Sequence, residues 1–288
     1  MNPPSSSLSR ELHLQTSRVH FANVLVAVDL SVSSENTLKI AAEFAHQYGS
    51  RLIVAHVMDV VAETLAQTPA EIEAKIRLGM KPYLRSSAQC SVAVVQGDVL
   101  REISGLITKY NADLLIIGTH AATNVERLVM GSKAEALFRN SSIPVLTVGP
   151  HVRKQNALFS SILLPTDMEP NSLRAAQYAV ALAEESNSIL NLLHVLKRAE
   201  EESTRASAAL RMQQLVPEDA ALWCTPLFRV ETGDLTETIL ATAEQTRADL
   251  IVLSVTQSRL LADHAHWSVA SKIVRFAGCP VLTVRDHL

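Results

Sequence analysis

The chain has 288 residues, of which 48% are hydrophobic and 19% charged, and 26 basic against 29 acidic residues give a formal net charge of −3. This balance is typical of folded cores, excludes a disordered chain and gives no electrostatic reason to expect a nucleic-acid partner. The three cysteines form no CxxC pair, so neither a disulfide framework nor a cysteine-rich zinc site is indicated. No apolar run has the length of a signal peptide or a membrane span, and we expect a cytoplasmic protein.

The first half of the chain alternates strands and helices. Residues 1–21 are predicted to be a polar tail, and the aliphatic run 24–28 is typical of a strand buried on both faces of a parallel sheet. Asp29 and several serines then lead into a helix that ends at Gly49. The other predicted strands are 52–57, 92–95, 114–117 and 145–148, and the other predicted helices are 70–87, 100–110 and 132–138.

The second half repeats this order. Its predicted strands are 162–164, 189–195, 227–230, 250–253 and 281–284, its predicted helices are 172–185, 200–215, 235–246 and 269–276, and residues 149–160 link the halves. Asp29 and Asp167 lie 138 positions apart, and Gly97 and Gly233 lie 136 apart. Such regular spacing over a domain length indicates two tandem domains, which we call copy one (22–149) and copy two (160–285).

Each copy is predicted to be an α/β domain. Five strands alternating with four helices favour a five-stranded parallel sheet with helices on both faces. A reversal of winding makes strands 1 and 4 neighbours and gives the Rossmann-like strand order 3-2-1-4-5. Ligands of such sheets bind at the carboxyl ends of the strands beside this switch point, where Asp29 ends strand 1 and Gly118 ends strand 4.

Four landmarks in copy one form a recognisable set. They are V-x-V-D-x-S-x-x-S around Asp29, a His-Val pair at His56, a Gly-Asp turn at Gly97 and I-P-V-L-T-V from Ile143. With these residues, and their repeats in copy two, the chain resembles the universal stress protein family in its tandem two-domain form. The resemblance implies two adenine nucleotide alpha hydrolase-like domains and a cytoplasmic stress-response protein.

A glycine-containing loop in copy one resembles the nucleotide loop of that family, which reads G-x-x-G, nine residues, then G-[ST]. Copy one has Gly118, Ala121, Gly131 and Ser132 at these positions, with alanine at the second glycine. By the resemblance, Gly118 and Ala121 would flank the ribose and phosphates of ATP. Gly131, Ser132 and the amide of Lys133 would hold the phosphates, in agreement with the affinity of helix N-termini for anions.

The resemblance also implies how copy one would hold the adenosine. Asp29 would contact the adenosine, the backbone of Val57 would read the adenine edge and Ala27 would line the base pocket. Asp29 could instead be only a helix cap. The implied cofactor is ATP, and Mg²⁺ could accompany it.

Copy two differs at the loop. It has Ser254, Gln257 and Trp267 where copy one has Gly118, Ala121 and Gly131, although it keeps Asp167 and Val195. A bulky indole replaces the glycine whose amide would face a phosphate, so we expect copy two to be a structural partner that binds no triphosphate. In the same loop, Asp263, His264 and His266 are interpreted as solvated residues rather than as a metal site.

Three functions agree with the sequence. The first is a regulatory or stress-protective protein that binds an adenine nucleotide in copy one. The second is a structural or interaction protein with both pockets empty, and the third is a slow ATP hydrolase. The sequence contains neither a Walker P-loop nor an SGGxDS-type loop, so no catalytic residue is assigned.

The fifth strands of both copies are predicted to lie at sheet edges. They run from Val145 to Val148 and from Val281 to Val284, and an exposed aliphatic edge needs a cover. Single-domain members of the family dimerise through these edges, so the resemblance implies antiparallel pairing of the two copies within one chain. A linker of about a dozen residues can span roughly 40 Å, which allows this pairing. The sequence leaves open whether the chain forms further homo-oligomers.

Overall fold

The computed structural model describes residues 19–31, 34–58, 68–84, 89–119, 132–153, 159–255 and 264–285. Copy one contains β1 (Asn23–Ala27), α1 (Ser34–Tyr48), β2 (Arg51–Met58), α2 (Pro69–Met80), β3 (Cys90–Gln96), α3 (Val99–Tyr110), β4 (Leu114–Gly118), α4 (Ser132–Asn140) and β5 (Val145–Val148). Copy two contains β6 (Ser161–Pro165), α5 (Leu173–Ser186), β7 (Ile189–Leu196), α6 (Glu202–Gln213), β8 (Thr225–Thr232), α7 (Leu235–Gln245), β9 (Leu250–Val255), α8 (His264–Phe276) and β10 (Val281–Arg285). A 3₁₀ turn, Pro170–Ser172, precedes α5.

The strands form one ten-stranded sheet in the order β3-β2-β1-β4-β5-β10-β9-β6-β7-β8. Neighbouring strands within each copy are parallel, and each half has the predicted order 3-2-1-4-5. The predicted α/β fold is therefore confirmed. Where the halves meet, β5 and β10 pair antiparallel, with Leu146 opposite Leu282.

Both faces of the sheet are covered by helices. The side chains of Val24 and Val26 belong to the buried cluster on one face, which includes residues of α1, α2, α5 and α6, whereas Leu25 belongs to the cluster on the other face, which includes residues of α3, α4, α7 and α8. All three are fully buried, which explains why the strands read as continuous aliphatic runs. None of the helices in the described segments is long and apolar enough to cross a membrane.

Aromatic rings reinforce the junction between the copies. The ring of Phe21 lies 6.0 Å from that of Tyr178, and the ring of Phe44 lies 5.9 Å from that of Phe159. Phe21, Phe44 and Phe159 are fully buried. Because Phe159 belongs to the segment that leads into β6, the linker end is packed into the core of copy one.

Local signals set several helix ends. The predicted Gly-Asp turns are confirmed: Gly97 has φ +150°, and the Asp98 carboxylate accepts a hydrogen bond from the N–H of Arg101 at the start of α3. Asp234 caps α7 in the same way. The prediction that the second helix extends over 70–87 was wrong, because α2 ends at Met80 and a turn follows.

The junction predicts the effect of a charge at its centre. Leu146 is 1% exposed and lies opposite Leu282, so Leu146→Lys would bury an ammonium group among aliphatic side chains. We expect the free energy of unfolding to fall by at least about 3 kcal/mol in urea titrations. The control Leu227→Lys changes a leucine that is 40% exposed on the outer strand β8 and should have little effect. Equal effects of the two variants would contradict a tightly packed junction.

Candidate functional site

Each copy has a crevice where its first and fourth strands end side by side. In copy one, Ala27 at the end of β1 lies opposite Ile117, so Gly118 at the end of β4 comes next to it. Asp29 follows β1, and Val57 lies near the end of β2, beside β1. Four of the residues predicted from the sequence to form a site therefore lie at one end of the sheet.

The structure describes the other predicted site residues only in part. Ser132 and Lys133 begin α4, but their side chains are outside the described part of the chain. Ala121 and Gly131 lie outside the described residues altogether. In copy two the side chain of Trp267, in α8, is likewise outside it.

An aspartate closes the turn after the first strand of each copy. Oδ1 of Asp29 accepts hydrogen bonds from the N–H of Ser31 (3.0 Å) and the hydroxyl of Ser34 (2.7 Å). Oδ1 of Asp167 does the same with the N–H of Glu169 (3.0 Å) and the hydroxyl of Ser172. Both aspartates are exposed, so the turn fixes each carboxylate at the edge of its crevice.

The residue after each aspartate has a left-handed backbone. Leu30 has φ +63° and Met168 has φ +62°, although neither is glycine. Such a conformation costs a non-glycine residue about 1–2 kcal/mol. Both copies keep this strained turn, so the fold holds the carboxylate in the same position in each of them. This conformation could not be predicted from Leu30 and Met168 themselves, since glycine or asparagine is its usual signal.

The histidines of the second strands have a structural role. Nδ1 of His56 lies 2.8 Å from the carbonyl oxygen of Val28, and Nδ1 of His194 lies 2.9 Å from that of Thr166. A carbonyl only accepts, so Nδ1 carries the proton in both rings. The bond fastens the end of the first strand to the second strand. His56 is buried, whereas His194 is half-buried.

The second strands present a backbone edge to the crevices. On the β1 side, the carbonyl of Ala55 accepts a hydrogen bond from the N–H of Val28. On the β3 side, the carbonyl of Met58 accepts one from the N–H of Gly97. Because successive residues of a strand turn their polar groups to alternate sides, the N–H and C=O of Val57 face the place where β1 has left the sheet. In copy two, the N–H of Thr166 donates to the carbonyl of Leu193, and the N–H of Gly233 donates to the carbonyl of Leu196. The N–H and C=O of Val195 therefore face the end of β6 in the same way.

Gly118 has a packing role that its motif did not reveal. A Cβ at this position would lie 2.5 Å from Oγ1 of Thr37, a buried residue of α1. In copy two, Ala175 takes the place of Thr37 and Ser254 takes the place of Gly118. In copy one the larger residue of the pair is on the helix, and in copy two it is on the strand. Packing against Thr37 is therefore sufficient to require glycine at position 118.

The crevice of copy two is a cavity of about 200 Å³. Its walls come mainly from apolar residues of β7, α7, β9 and α8, namely Leu193, Val195, Ile239, Leu253 and Val269. Asp167 and Ser254 also line it. Apart from Val195, sequence reasoning missed these walls, because apolar residues of strands and helices are usually interpreted as ordinary core.

Ionisable groups outside the crevices behave as structural residues. Burial raises the pKa of all three cysteines, to about 11 for Cys224 and about 12 for Cys279, so they are poor nucleophiles. Within the described residues no group of three or more His, Cys, Asp or Glu could hold a metal ion. Asp263, and the side chains of His264 and His266, lie outside the described part.

Asp249 links the start of copy two to its fourth strand. Its carboxylate accepts hydrogen bonds from the N–H groups of Ser160 (2.7 Å) and Ser161 (3.1 Å). Burial raises its pKa to about 6, although these hydrogen bonds act in the opposite direction. Asp113 accepts an equivalent bond from the N–H of Asn23 (2.8 Å) in copy one.

Together, the sheet order and the two crevices define a tandem, doubly wound α/β protein of Rossmann-like architecture. The chain belongs to the universal stress protein family, whose family model matches residues 20–149 and 159–285. Both copies are covered, in agreement with the resemblance predicted from the sequence.

Individual relatives agree with the family. Universal stress protein A homolog 1 of Coxiella burnetii is 26% identical over 144 residues, which are 45% of this chain and 97% of that protein. The Na(+)/H(+) antiporter NhaS5 of Synechocystis is 26% identical over 215 residues, 74% of this chain but 29% of the antiporter. A universal stress protein structure from Archaeoglobus fulgidus has a TM-score of 0.69 at 18% identity, covering 93% of this chain and 98% of its own, and shows the same fold.

The contact between Gly118 and Thr37 predicts a coupled pair of substitutions. Gly118→Ser should destabilise the protein by about 1–3 kcal/mol, because the added atoms would overlap Thr37. Combined with Thr37→Ala it should lose much less stability, because the double variant has the residue pair of copy two. Urea titrations of both single variants and the double variant measure the coupling. Additive effects, within about 0.5 kcal/mol, would contradict this packing explanation.

Asp249 predicts a pH dependence of stability. A carboxyl group whose pKa is about 6 when folded and about 4 when unfolded binds its proton more tightly in the folded state. Its contribution is therefore present at low pH and is lost as the pH rises through about 6. As the pH rises from 4 to 7, the free energy of unfolding of Asp249→Asn should therefore increase relative to that of wild type. The expected increase is on the order of 1–2 kcal/mol, after discounting for partial exposure.

The measurement is a series of urea titrations at fixed ionic strength. Above pH 7.5 the carboxyl group is ionised in both states, so the difference between variant and wild type should become constant there, which serves as an internal control. A difference that is constant from pH 4 upward would contradict the assignment.

Proposed function

We propose that this universal stress protein binds an adenine nucleotide, ATP, in copy one, and that copy two is its fixed structural partner. The observation that carries the proposal is the backbone edge of Val57, which faces the crevice beside the carboxylate of Asp29. The backbone edge supplies both a hydrogen-bond donor and an acceptor, and a carboxylate that accepts a hydrogen bond from a hydroxyl group lies at the same crevice.

The backbone edge of Val57 and the carboxylate of Asp29 suit adenine and ribose, the two uncharged parts of the nucleotide. Adenine carries a donor and an acceptor side by side, which complement the C=O and N–H of Val57. The ribose hydroxyls are donors, and a carboxylate at a switch point accepts them, as in dinucleotide-binding folds. Asp29 would repel a phosphate, so it supports a pose in which the ribose, rather than the phosphates, lies at β1.

The phosphates would extend towards α4. This helix begins at Ser132, and the first N–H groups of a helix favour an anion. Gly131 and Lys133 flank Ser132 in the sequence, and a glycine lets the backbone approach a phosphate closely. Mg²⁺ could accompany the phosphates. A cytoplasmic setting belongs to the proposal, because the three cysteines are free thiols.

The alternative is an interaction protein that holds no nucleotide. The packing of Gly118 against Thr37 favours it, because that glycine needs no ligand to explain it. Stoichiometry separates the two functions, since only the first predicts ATP bound to the purified chain.

Calorimetric titration of the full chain with ATP and Mg²⁺ tests the proposal. We expect one site per chain and an affinity that falls about tenfold or more in Asp29→Asn, because the substitution removes the carboxylate acceptor for the ribose. Gly131→Trp, which installs the residue of copy two, should abolish ATP binding. The control Asp98→Asn removes another capping carboxylate of copy one and should leave the affinity unchanged. Two equal sites, or no binding, would refute the proposal.

A further inference from the structure

Copy two exposes four large apolar side chains where β7 and β8 begin. Ile189 is 44% exposed, Leu227 40%, Leu222 76% and Trp223 55%. Thr225 is the sheet partner of Ile189, and Leu227 and Trp223 lie two residues to either side of it in the chain. Clustered exposed apolar side chains, above all an aromatic one, are typical of a protein interaction surface. We call these four residues the corner patch.

The turn that carries the two most exposed residues of the patch is fixed. The N–H of Leu222 donates to the carbonyl of Asp219, and the N–H of Trp223 donates to the carbonyl of Ala220, both at 2.9 Å. Ala220 and Cys224, which flank the pair, are buried. The backbone that presents Leu222 and Trp223 is therefore ordered before a partner binds, which lowers the entropy lost on association.

Acidic residues border the corner patch. Glu218 and Asp219 precede it in the chain, and Glu184 lies in the last turn of α5. Burial raises the pKa of the Glu184 carboxyl, and the nearby charge of Asp219 raises it further. The negative end of the α5 dipole adds to this repulsion. The one cation of β8, Arg229, is bonded to Oδ1 of Asn191 (3.1 Å), so a cation supplied by a partner would relieve the acids.

Copy one differs at every equivalent position. At the offsets of the repeat, 138 and 136 positions, the four apolar residues are replaced by Arg51, Ser86, Ser87 and Ser91. At the same offsets, the three acids are replaced by His46, Pro82 and Tyr83. The domain fold therefore requires neither the apolar nor the acidic side chains at this corner, and in copy two they are available for another role.

We propose that the corner patch binds a basic amphipathic segment of a partner protein, with its apolar side chains against Trp223 and its lysine or arginine residues beside Asp219. Two-fold pairing with a second copy is disfavoured, because it would place the same acids opposite one another. The acids would also be repelled by an anionic membrane surface. The proposal does not depend on nucleotide binding, because the patch lies where the strands begin and the crevices lie where they end.

Titration of a fluorescently labelled amphipathic peptide of leucine and lysine with the full chain tests the proposal. Wild type should bind it more tightly than a matched peptide of leucine and glutamate. Leu222→Ser combined with Trp223→Ser installs the residues of copy one and should weaken binding about tenfold or more. The control, Leu78→Ser combined with Phe276→Ser, removes a leucine and an aromatic ring that are 71% and 48% exposed elsewhere, and it should bind like wild type.

A second pair of variants tests the charges. Glu218→Gln combined with Asp219→Asn should weaken binding of the lysine peptide about two- to fivefold and reduce its dependence on salt. The matched control, Glu200→Gln combined with Glu201→Gln, changes exposed acids that follow the end of β7 and should have no effect. Circular dichroism and thermal unfolding establish that all four variants fold.

Three results would overturn the proposal. The first is equal binding of the two peptides, and the second is binding of the lysine peptide that the double serine variant leaves unchanged. The third is a dimer of the chain, or binding to phosphatidylserine vesicles, that the double serine variant abolishes, because either would assign the corner patch to a different partner.

Discussion

A parallel sheet that is covered by helices on both faces has only its two edges left for association. In each copy one of these edges is a fifth strand whose residues are aliphatic, and such an edge would pair with any available strand. The antiparallel pairing of β5 with β10 satisfies both edges at once and makes one sheet of ten strands. The aromatic contacts and the packing of the linker end depend on this pairing, because it brings α1 and α5 together. The outer edge β8 is protected differently, by Pro226, which lacks an N–H, and by Arg229, which bonds to the buried Asn191.

The tandem repeat is an internal comparison between two versions of one domain. Both versions keep the strained aspartate turn, the histidine that fastens the first strand and the backbone edge that faces the crevice. They differ in how a helix approaches the fourth strand, with threonine against glycine in copy one and alanine and serine at the same positions in copy two. The shared features are therefore those of the domain itself. The differences show how a motif residue can be required by packing and also lie beside a candidate binding site.

Much of the fold could be predicted from the sequence because it depends on local and periodic signals. The strands are buried on both faces and read as aliphatic runs, and the repeated spacing gave the number of domains. The end of α2 at Met80 was not predictable, because helical periodicity continues past it in the sequence. The left-handed conformation of Leu30 and Met168 was also hidden, since it arises from hydrogen bonds to the preceding aspartate rather than from a glycine.

Prediction of the candidate sites was limited by what their motifs describe. By the family resemblance the loop motif concerns phosphate contacts, so its loss in copy two predicted only the loss of triphosphate binding there. The crevice of copy two is formed mainly by apolar residues of the sheet and of two helices, among them Ile239 and Leu253, and the motif describes none of these residues. A loop motif therefore carries little information about the walls of the crevice beside it.

The junction between the copies is symmetric in its strands but not in its side chains. Gly149, after β5, lies against α8 so closely that a Cβ would be 2.5 Å from the carbonyl oxygen of Val274. Its counterpart 136 positions later, Arg285, reaches across to the carbonyl of Ser141 at 3.3 Å. A homodimer of either half would place the same residue on both sides of a two-fold axis, two glycines or two arginines. Fusion of the halves into one chain removes that restriction, so each side of the junction has become a specific complement of the other rather than a copy of it.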